Sequence, residues 1–148
     1  MTDQKWMVAA MDSLLQDCPD DISVLANACA FLFSEMEEVN WLGFYRVHQN
    51  QLYLGPFQGL PACTTIAMGK GACGRAALHD QVVVLDDVRL EENYIACHEE
   101  TRAEMVIPLH KANRVVAVLD MDSLRVGRFQ TEDQLFITEI AKIIEKYL

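Results

Sequence analysis

Two stretches near the start of the chain repeat their apolar residues at helical intervals. Between Trp6 and Leu15 the apolar residues recur in pairs on one face. Pro19-Asp20-Asp21 then supplies a break and an acidic cap for the next segment. From Ile22 to Met36 the apolar positions recur every three or four residues. These patterns predict two amphipathic helices.

After residue 40 the pattern changes to short runs rich in aromatic and β-branched residues, which are typical of strands. Six strands are predicted, at residues 41–47, 51–54, 63–67, 82–85, 104–109 and 114–121. Brief polar connections follow the first and fifth runs, and such connections favour antiparallel hairpins. We therefore expect a mostly antiparallel sheet.

Two further helices are predicted after the first strands. Residues 71–79 follow clustered glycines and suit a short helix. Thr131-Glu132-Asp133-Gln134 matches a capping box, and apolar residues continue one helical face after it. Helices at both ends of about six strands predict an α+β fold, with these helices on one face of the sheet and a ligand pocket on the other. Without repeats or linkers, we expect one domain over residues 1–148.

Composition and charge restrict the classes of function. The chain has 148 residues, of which 51% are apolar and 23% charged, as in globular proteins. Its formal net charge of −10 disfavours binding to nucleic acid or to anionic membranes. The first residues do not resemble a secretory signal, and no apolar run is long enough to span a bilayer. We expect a cytoplasmic protein.

The five cysteines suggest thiol chemistry or buried thiols rather than a secreted disulfide framework. No CxxC pair is present, so neither a zinc ribbon nor a thioredoxin-type motif is supported. Cys29 lies on the apolar stripe of the second helix and is interpreted as core. Cys73 follows glycines before a predicted helix, where free N–H groups favour an anion or a thiolate. A purely structural turn is an equal alternative.

The polar segment 91–100 predicts a loop that exposes Cys97. His98 is adjacent, but neighbouring side chains point in different directions, so a solvated loop histidine is the favoured interpretation. The other three histidines fall at the ends of predicted elements and receive no role: His48, His79 and His110.

Acidic residues gather at the end of the last predicted strand. Strict alternation places Val118, Asp120 and Asp122 on one face and Val115 and Leu119 on the other. Two carboxylates on one face suit the mouth of a pocket, where burial and mutual repulsion raise a pKa toward neutrality. The spacing alone favours a simpler alternative, which is a solvated strand end or a helix cap.

Aromatic residues share a face of the first predicted strand. Trp41, Gly43 and Tyr45 alternate there, and the glycine leaves room beside the two rings. Such a stripe is usually core, and the sharper hypothesis is a cage for a small methyl-bearing or cationic group.

Six segments, taken in order, resemble the free methionine-(R)-sulfoxide reductase family. They are NWLGFY at 40–45, LGPFQG at 54–59, AC at 62–63, GKGACG at 69–74, IAC at 95–97 and VLDMDS at 118–123. The family's cysteine spacing is also kept, with ten residues from Cys63 to Cys73 and 24 from Cys73 to Cys97. The resemblance covers most of the chain and implies a GAF fold.

The resemblance also implies roles for three cysteines. Cys97 is the expected nucleophile, and Cys63 is the thiol that resolves it through a disulfide. Cys73 is a further pocket cysteine that joins this relay or helps to hold the substrate. Cys18 and Cys29 lie outside the motifs and are interpreted as bystanders.

By the same resemblance, Trp41 and Tyr45 line the substrate pocket. Glu104, Asp120 and Asp122 match the family's acidic positions, which bind the substrate, and Glu104 and Asp122 are expected to assist catalysis at the sulfoxide. The implied reaction reduces free L-methionine (R)-sulfoxide to L-methionine through a sulfenic acid and a disulfide. Thioredoxin or another dithiol is the expected reductant, and no metal or organic cofactor is expected.

Two positions depart from the family pattern. Thr65 stands where the family commonly has arginine, and Ala103 stands where a serine often precedes the glutamate. Neither carries an expected catalytic role, so the departures bear on affinity or packing. GAF domains often pair through terminal helices, and a homodimer is expected by that analogy.

Two other classes of function compete with an enzyme. One is a stand-alone GAF module that binds a small ligand or senses oxidants without turnover. The other is a structural protein in which all five cysteines are inert buried thiols. Three cysteines at the family spacing favour the enzyme over both.

Overall fold

Both helices predicted at the start of the chain are present in the computed structural model, which describes residues 4–148. Helix α1 spans Gln4–Leu15 and helix α2 spans Asp21–Glu35. The predicted cap is confirmed, because the Asp20 carboxylate accepts a hydrogen bond from the Ser23 backbone N–H at 2.8 Å. A side-chain acceptor at this position satisfies an N–H group that has no partner within the helix.

The predicted antiparallel sheet is also confirmed. In residues 4–148 it has six strands, in the order β3-β2-β1-β6-β5-β4, and every neighbouring pair is antiparallel. The strands are β1 (Trp41–His48), β2 (Gln51–Gln58), β3 (Thr65–Ala67), β4 (Val83–Leu85), β5 (Ala103–Lys111) and β6 (Arg114–Ser123). The prediction that Cys63 lies within the third strand was wrong. Only Thr65–Ala67 pairs with β2, and Cys63 lies in the loop before it.

The two further helices are present as predicted, one after β3 and one after β6. Helix α3 spans Gly71–His79 and helix α4 spans Thr131–Glu145, and a short 3₁₀ turn lies at Val88–Leu90. The N-cap of α4 is Gln130, one residue before the predicted Thr131, because the backbone of Gln130 is extended. Its backbone N–H donates to the Asp133 carboxylate at 2.8 Å. None of the described helices is long and apolar enough to cross a membrane.

The sheet separates two apolar clusters. On one face α1, α2 and α4 pack against buried strand residues such as Phe44, Met105 and Leu119. On the other face the buried residues of β1, β5 and β6 pack against α3. The α+β prediction, with terminal helices on one face, is therefore confirmed. Helix α3 covers part of the second face and forms a wall of the pocket there.

Strand β6 alternates as predicted along most of its length. Val118, Asp120 and Asp122 face the α3 side, and Leu119 packs with the terminal helices. Val115 was predicted to share the face of Leu119 but packs on the α3 side. The β5–β6 register shifts beside it, between Leu109 and His110, and an irregular step of this kind breaks strict alternation.

His110 joins the ends of three elements. Its Nε2 lies 2.6 Å from Oδ1 of Asp80, which caps α3, and its Nδ1 lies 2.7 Å from Oε2 of Glu145, the last residue of α4. The hydrogen bond to Asp80 is the main cause that raises the pKa of His110, and Glu145 adds to it. The protonated imidazole therefore stabilises the fold.

We expect His110→Gln to lower the Tm by about 2–4 °C at pH 6, a modest effect because the group is partly exposed. The folded pKa lies above the reference value of 6.5, so the stabilisation is complete below that value and disappears as pH rises through the folded pKa. Thermal unfolding at pH 6 and pH 9 tests this, with the exposed His48→Gln as the control. A deficit of equal size at both pH values would contradict a role for charge.

Candidate active site

Three carboxyl groups lie side by side on the α3 face of the sheet. Glu104 on β5 stands directly opposite Asp122 on β6, and Asp120 stands opposite Val106. On the other side of β6, Asp122 pairs with Trp41 and Asp120 with Gly43. The three acidic residues are only 5–7% exposed. The simpler alternative of a solvated strand end is therefore wrong, because these carboxyl groups lie inside the protein.

Burial makes these carboxyl groups hold protons. It is the largest cause that raises the pKa of Asp120 to about 7, followed by the charge of Asp122, while hydrogen bonds with Glu104 and Cys73 oppose the rise. Burial also raises the pKa of Glu104 well above its usual range, and repulsion from Asp120 adds to the rise. The pKa of Asp122 is raised in the same way by burial and by repulsion from Glu104. The cluster therefore retains protons at neutral pH.

Cys73 faces this cluster from the first turn of α3. Its sulfur and carboxylate oxygens of Glu104 and Asp120 all lie within 4.8 Å of one another. Burial, then the charges of Asp120 and Glu104, raise the thiol's pKa well above its usual value. Of the two alternatives for this turn, a thiolate is disfavoured in the described state, because burial and the neighbouring acidic groups raise the pKa of the thiol.

The glycine turn before Cys73 is built for close packing. A Cβ on Gly74 would lie 2.6 Å from the Ala67 carbonyl oxygen. The N–H of Gly69 donates to the Gly74 carbonyl at 2.9 Å, and the N–H of Gly74 donates to the Lys70 carbonyl at 2.9 Å. These two N–H groups are occupied within the turn itself, so Gly69 and Gly74 have a structural role there.

Cys63 and Cys97 form a disulfide, with their Cα atoms 5.6 Å apart. Cys97 lies on the predicted loop at 91–100. This loop is held against α3, since the Asn93 side-chain amide donates to the Gly69 carbonyl at 3.2 Å and Arg75 pairs with Glu91 at 3.2 Å. The loop thus carries Cys97 over the pocket.

Three further residues of this loop line the pocket, and the sequence pattern assigned none of them a role: Tyr94, Ile95 and His98. The His98 Nε2 lies 2.9 Å from the Pro61 carbonyl oxygen, and its ring stands 6.4 Å from that of Trp41. The interpretation of His98 as a merely solvated histidine is therefore wrong. Tyr94 and Ile95 could have been predicted to line the pocket, because they are an aromatic and an aliphatic residue close to Cys97 in an otherwise polar loop.

An aromatic wall stands beside the carboxyl groups on the same face of the sheet. The Trp41 ring stacks on Phe57 and on Tyr45, with ring centroids 5.4 Å and 6.1 Å apart. The Tyr45 hydroxyl donates to the Cys63 carbonyl at 2.9 Å, so the wall is tied to the disulfide. A Cβ on Gly43 would lie 2.9 Å from Cη2 of Trp41. The glycine therefore provides the room that the sequence predicted.

These groups enclose one pocket, which is partly open to solvent and has a cavity volume of about 30 Å³. Cys97 is part of the pocket lining, whereas Cys63 is not, although its neighbour Ala62 is. The predicted site residues other than Cys63 all contribute to the lining: Trp41, Tyr45, Cys73, Cys97, Glu104, Asp120 and Asp122.

Comparison with known proteins places this pocket in a family. The GAF domain family model matches residues 10–148. Free methionine-R-sulfoxide reductase of Escherichia coli is 39% identical over 127 residues, which cover 86% of this chain and 77% of that protein. The chain belongs to the free methionine-R-sulfoxide reductase family of GAF domains.

Solved structures of the family superimpose closely. The reduced form of fRMsr of Staphylococcus aureus is 38% identical with a TM-score of 0.96, covering 100% of this chain and 96% of that chain. The free methionine-R-sulfoxide reductase of Neisseria meningitidis, solved in complex with its substrate, is 38% identical with a TM-score of 0.93, covering 97% of this chain and 87% of that chain. The predicted family is thus confirmed.

The two departures from the family pattern lie outside the pocket lining of this family member. Thr65 is exposed at the start of β3. Ala103 is fully buried at the start of β5, opposite Ser123, and directly precedes Glu104. Neither side chain lines the pocket. Their effects are therefore indirect, through packing or local structure.

Proposed function

We propose that this protein reduces free L-methionine (R)-sulfoxide to L-methionine. One observation carries the proposal. Cys97 lines a pocket whose other wall consists of buried carboxyl groups that retain protons, so a thiol and proton donors face the same space. The E. coli relative and the Neisseria structure carry the name of this activity.

The first step transfers oxygen from the substrate to Cys97. The thiolate attacks the electrophilic sulfoxide sulfur, and a carboxyl group of Glu104 or Asp122 supplies the proton that the oxygen needs to leave the substrate. Methionine departs, and Cys97 is oxidised to a sulfenic acid. Cys97 lines the pocket and Cys63 does not, which supports Cys97 as the attacking cysteine.

The second step forms a disulfide. The Cys63 thiol attacks the sulfenic sulfur of Cys97, and water is released. The Cys63–Cys97 disulfide supports this pairing. An external dithiol then reopens the bond by thiol exchange. We propose thioredoxin as that reductant, with no metal or organic cofactor in the cycle.

Substrate selection follows from the two walls. Trp41 and Tyr45 present aromatic surface to the methyl end of the substrate, as in the predicted cage. Asp120, whose pKa is about 7, presents a partly ionised carboxyl group to the free ammonium group, and its acidic neighbours accept hydrogen bonds from it. Peptide-bound methionine sulfoxide lacks that ammonium, so the acidic wall favours the free amino acid.

The broader assignments belong to the same proposal. We propose that residues 1–148 form a single GAF domain, which the match over residues 10–148 supports. We also propose a cytoplasmic location and a homodimer. The net charge of −10 supports a protein that binds neither nucleic acid nor anionic membranes.

The test is methionine formation from separate (R) and (S) epimers of free methionine sulfoxide, with dithiothreitol as reductant. We expect turnover of the (R) epimer alone. The aromatic wall fixes the methyl group of the substrate and the carboxyl groups fix its oxygen, so only one configuration at sulfur is oriented for attack by Cys97. N-acetylmethionine (R)-sulfoxide, which lacks the ammonium, serves as a matched control and should react poorly. No turnover of either epimer by folded, reduced protein would favour a GAF module that binds a ligand without chemistry.

A further inference from the structure

The deepest part of the pocket collects side chains of the types that bind zinc. We call Cys73, Glu104, Asp120 and Asp122 the pocket floor. The Cys73 sulfur and oxygens of Glu104 and Asp120 lie within 4.8 Å of one another, and all three residues are buried. Tetrahedral Zn²⁺ takes sulfur at about 2.3 Å and oxygen at about 2.0–2.2 Å, so bound ligand atoms stand roughly 3.3–3.7 Å apart. Zinc binding therefore requires any of these atoms that lie farther apart than this, up to 4.8 Å, to move closer together.

A second observation points to a cation at the same place. Oδ1 of Asp120 and Oδ1 of Asp122 are buried without a hydrogen-bond partner, in residues that are 5% and 7% exposed and that line the pocket. Buried acceptors are nearly always satisfied in folded proteins, because an unsatisfied one is costly. A cation bound at the floor would satisfy the oxygen of Asp120.

We propose that the pocket floor binds one Zn²⁺ ion through Cys73, Glu104 and Asp120, and that the bound ion blocks the pocket. Asp122 stands opposite Glu104 in the ladder, beside the ion. Binding displaces the thiol proton of Cys73 and the protons that the two ligating carboxyl groups hold, so zinc bonds to a thiolate and two carboxylates while H⁺ is released to solvent. Zinc acts here as a reversible inhibitor, and the reductase reaction needs no metal.

The donor set favours zinc over the common hard cations. A thiolate ligand selects Zn²⁺ against Mg²⁺ and Ca²⁺, which prefer oxygen donors. Lys70 also lines the pocket and opposes a cation. Arg75, whose charge lowers the pKa of Glu104, is engaged by Glu91. The thiolate and two carboxylates that form on zinc binding outweigh the single positive charge of Lys70.

The disulfide form gives the clearest test. With Cys63 and Cys97 joined, neither offers a thiolate, so strong zinc binding in the pocket must depend on Cys73. Metal-free oxidised protein is titrated with Zn²⁺ against the coloured chelator 4-(2-pyridylazo)resorcinol. We expect one Zn²⁺ per chain, with affinity that increases from pH 6 to pH 8 as protons are displaced.

Matched variants decide whether the site is the pocket floor. Cys73→Ser and Asp120→Asn should each weaken binding about 100-fold, as expected for loss of a ligand or of its support. Cys18→Ser removes a half-buried cysteine outside the pocket and should bind as wild type does. Circular dichroism confirms that each variant is folded. No zinc on the wild type, or undiminished zinc on both folded floor variants, would overturn the proposal.

The proposal that zinc blocks the pocket rests on the proposed function, and it can fail while zinc binding itself is confirmed. Free methionine (R)-sulfoxide should compete with Zn²⁺ for the oxidised protein, because both are proposed to occupy the floor. Zinc binding that the sulfoxide leaves unchanged would overturn the blocking effect. The zinc titration itself involves no turnover, so its result stands whether or not the protein reduces the sulfoxide.

Discussion

Cys97→Ser is expected to abolish methionine formation, with a loss of at least about 10⁴-fold, since a serine hydroxyl in this position is not activated to attack sulfur. The substitution also removes the disulfide, because Cys63 then has no partner. Cys63→Ser leaves the attacking thiol in place. The two variants therefore separate the step that makes methionine from the step that closes the disulfide.

Single turnover without reductant measures this difference. Pre-reduced wild type and Cys63→Ser should each release about one methionine per chain, and Cys97→Ser none. In Cys63→Ser the sulfenic acid has lost its resolving thiol, so dimedone should label Cys97, which mass spectrometry detects. Cys18→Ser is the control, because Cys18 is outside the pocket. One methionine per chain from folded Cys97→Ser would assign the attack to another cysteine.

The alternation of single strands predicted the pocket walls well. Period-two alternation placed Asp120 and Asp122 on one face of β6, and Trp41 and Tyr45 on one face of β1. Within a strand, alternation depends only on the pleat of that strand. It failed at Val115, where the β5–β6 register shifts.

Relations between strands were not available from the pattern. That Glu104 stands directly opposite Asp122 depends on the register of β5 against β6, which loop geometry and bulges determine. The burial of these carboxyl groups depends on the segments that cover them, including α3 and the loop with Cys97. Their raised pKa values follow from that burial, and the sequence alone favoured solvated carboxylates.

The cysteine pairing illustrates the same limit. Cys63 and Cys97 are 34 residues apart, and spacing among five cysteines does not select one pair. The family resemblance supplied the expected pair. The resemblance named no role for His98, which reaches the pocket because the loop turns its ring toward Trp41 and Pro61.

Glu104→Gln is expected to lower turnover by about 10²–10⁴-fold and at the same time to stabilise the protein. The amide keeps the shape of the side chain but cannot donate an acidic proton to the departing oxygen, and general acid catalysis is worth about that factor. It also cannot carry the charge that burial opposes. Loss of activity and gain of stability therefore have one cause.

The pH dependence distinguishes this account from a packing effect. A carboxyl group whose folded pKa lies above its usual 4.5 binds more protons in the folded state, so stability falls as pH rises from 4.5 to the folded pKa. The gain in Tm for Glu104→Gln should thus be near zero at pH 4 and increase toward neutral pH. Glu100→Gln, an exposed change near the end of the same loop as Cys97, should show neither effect. A Tm difference that is constant from pH 4 to pH 8 would show that the Glu104 charge is not what the fold resists, and would remove this carboxyl group as the proton donor.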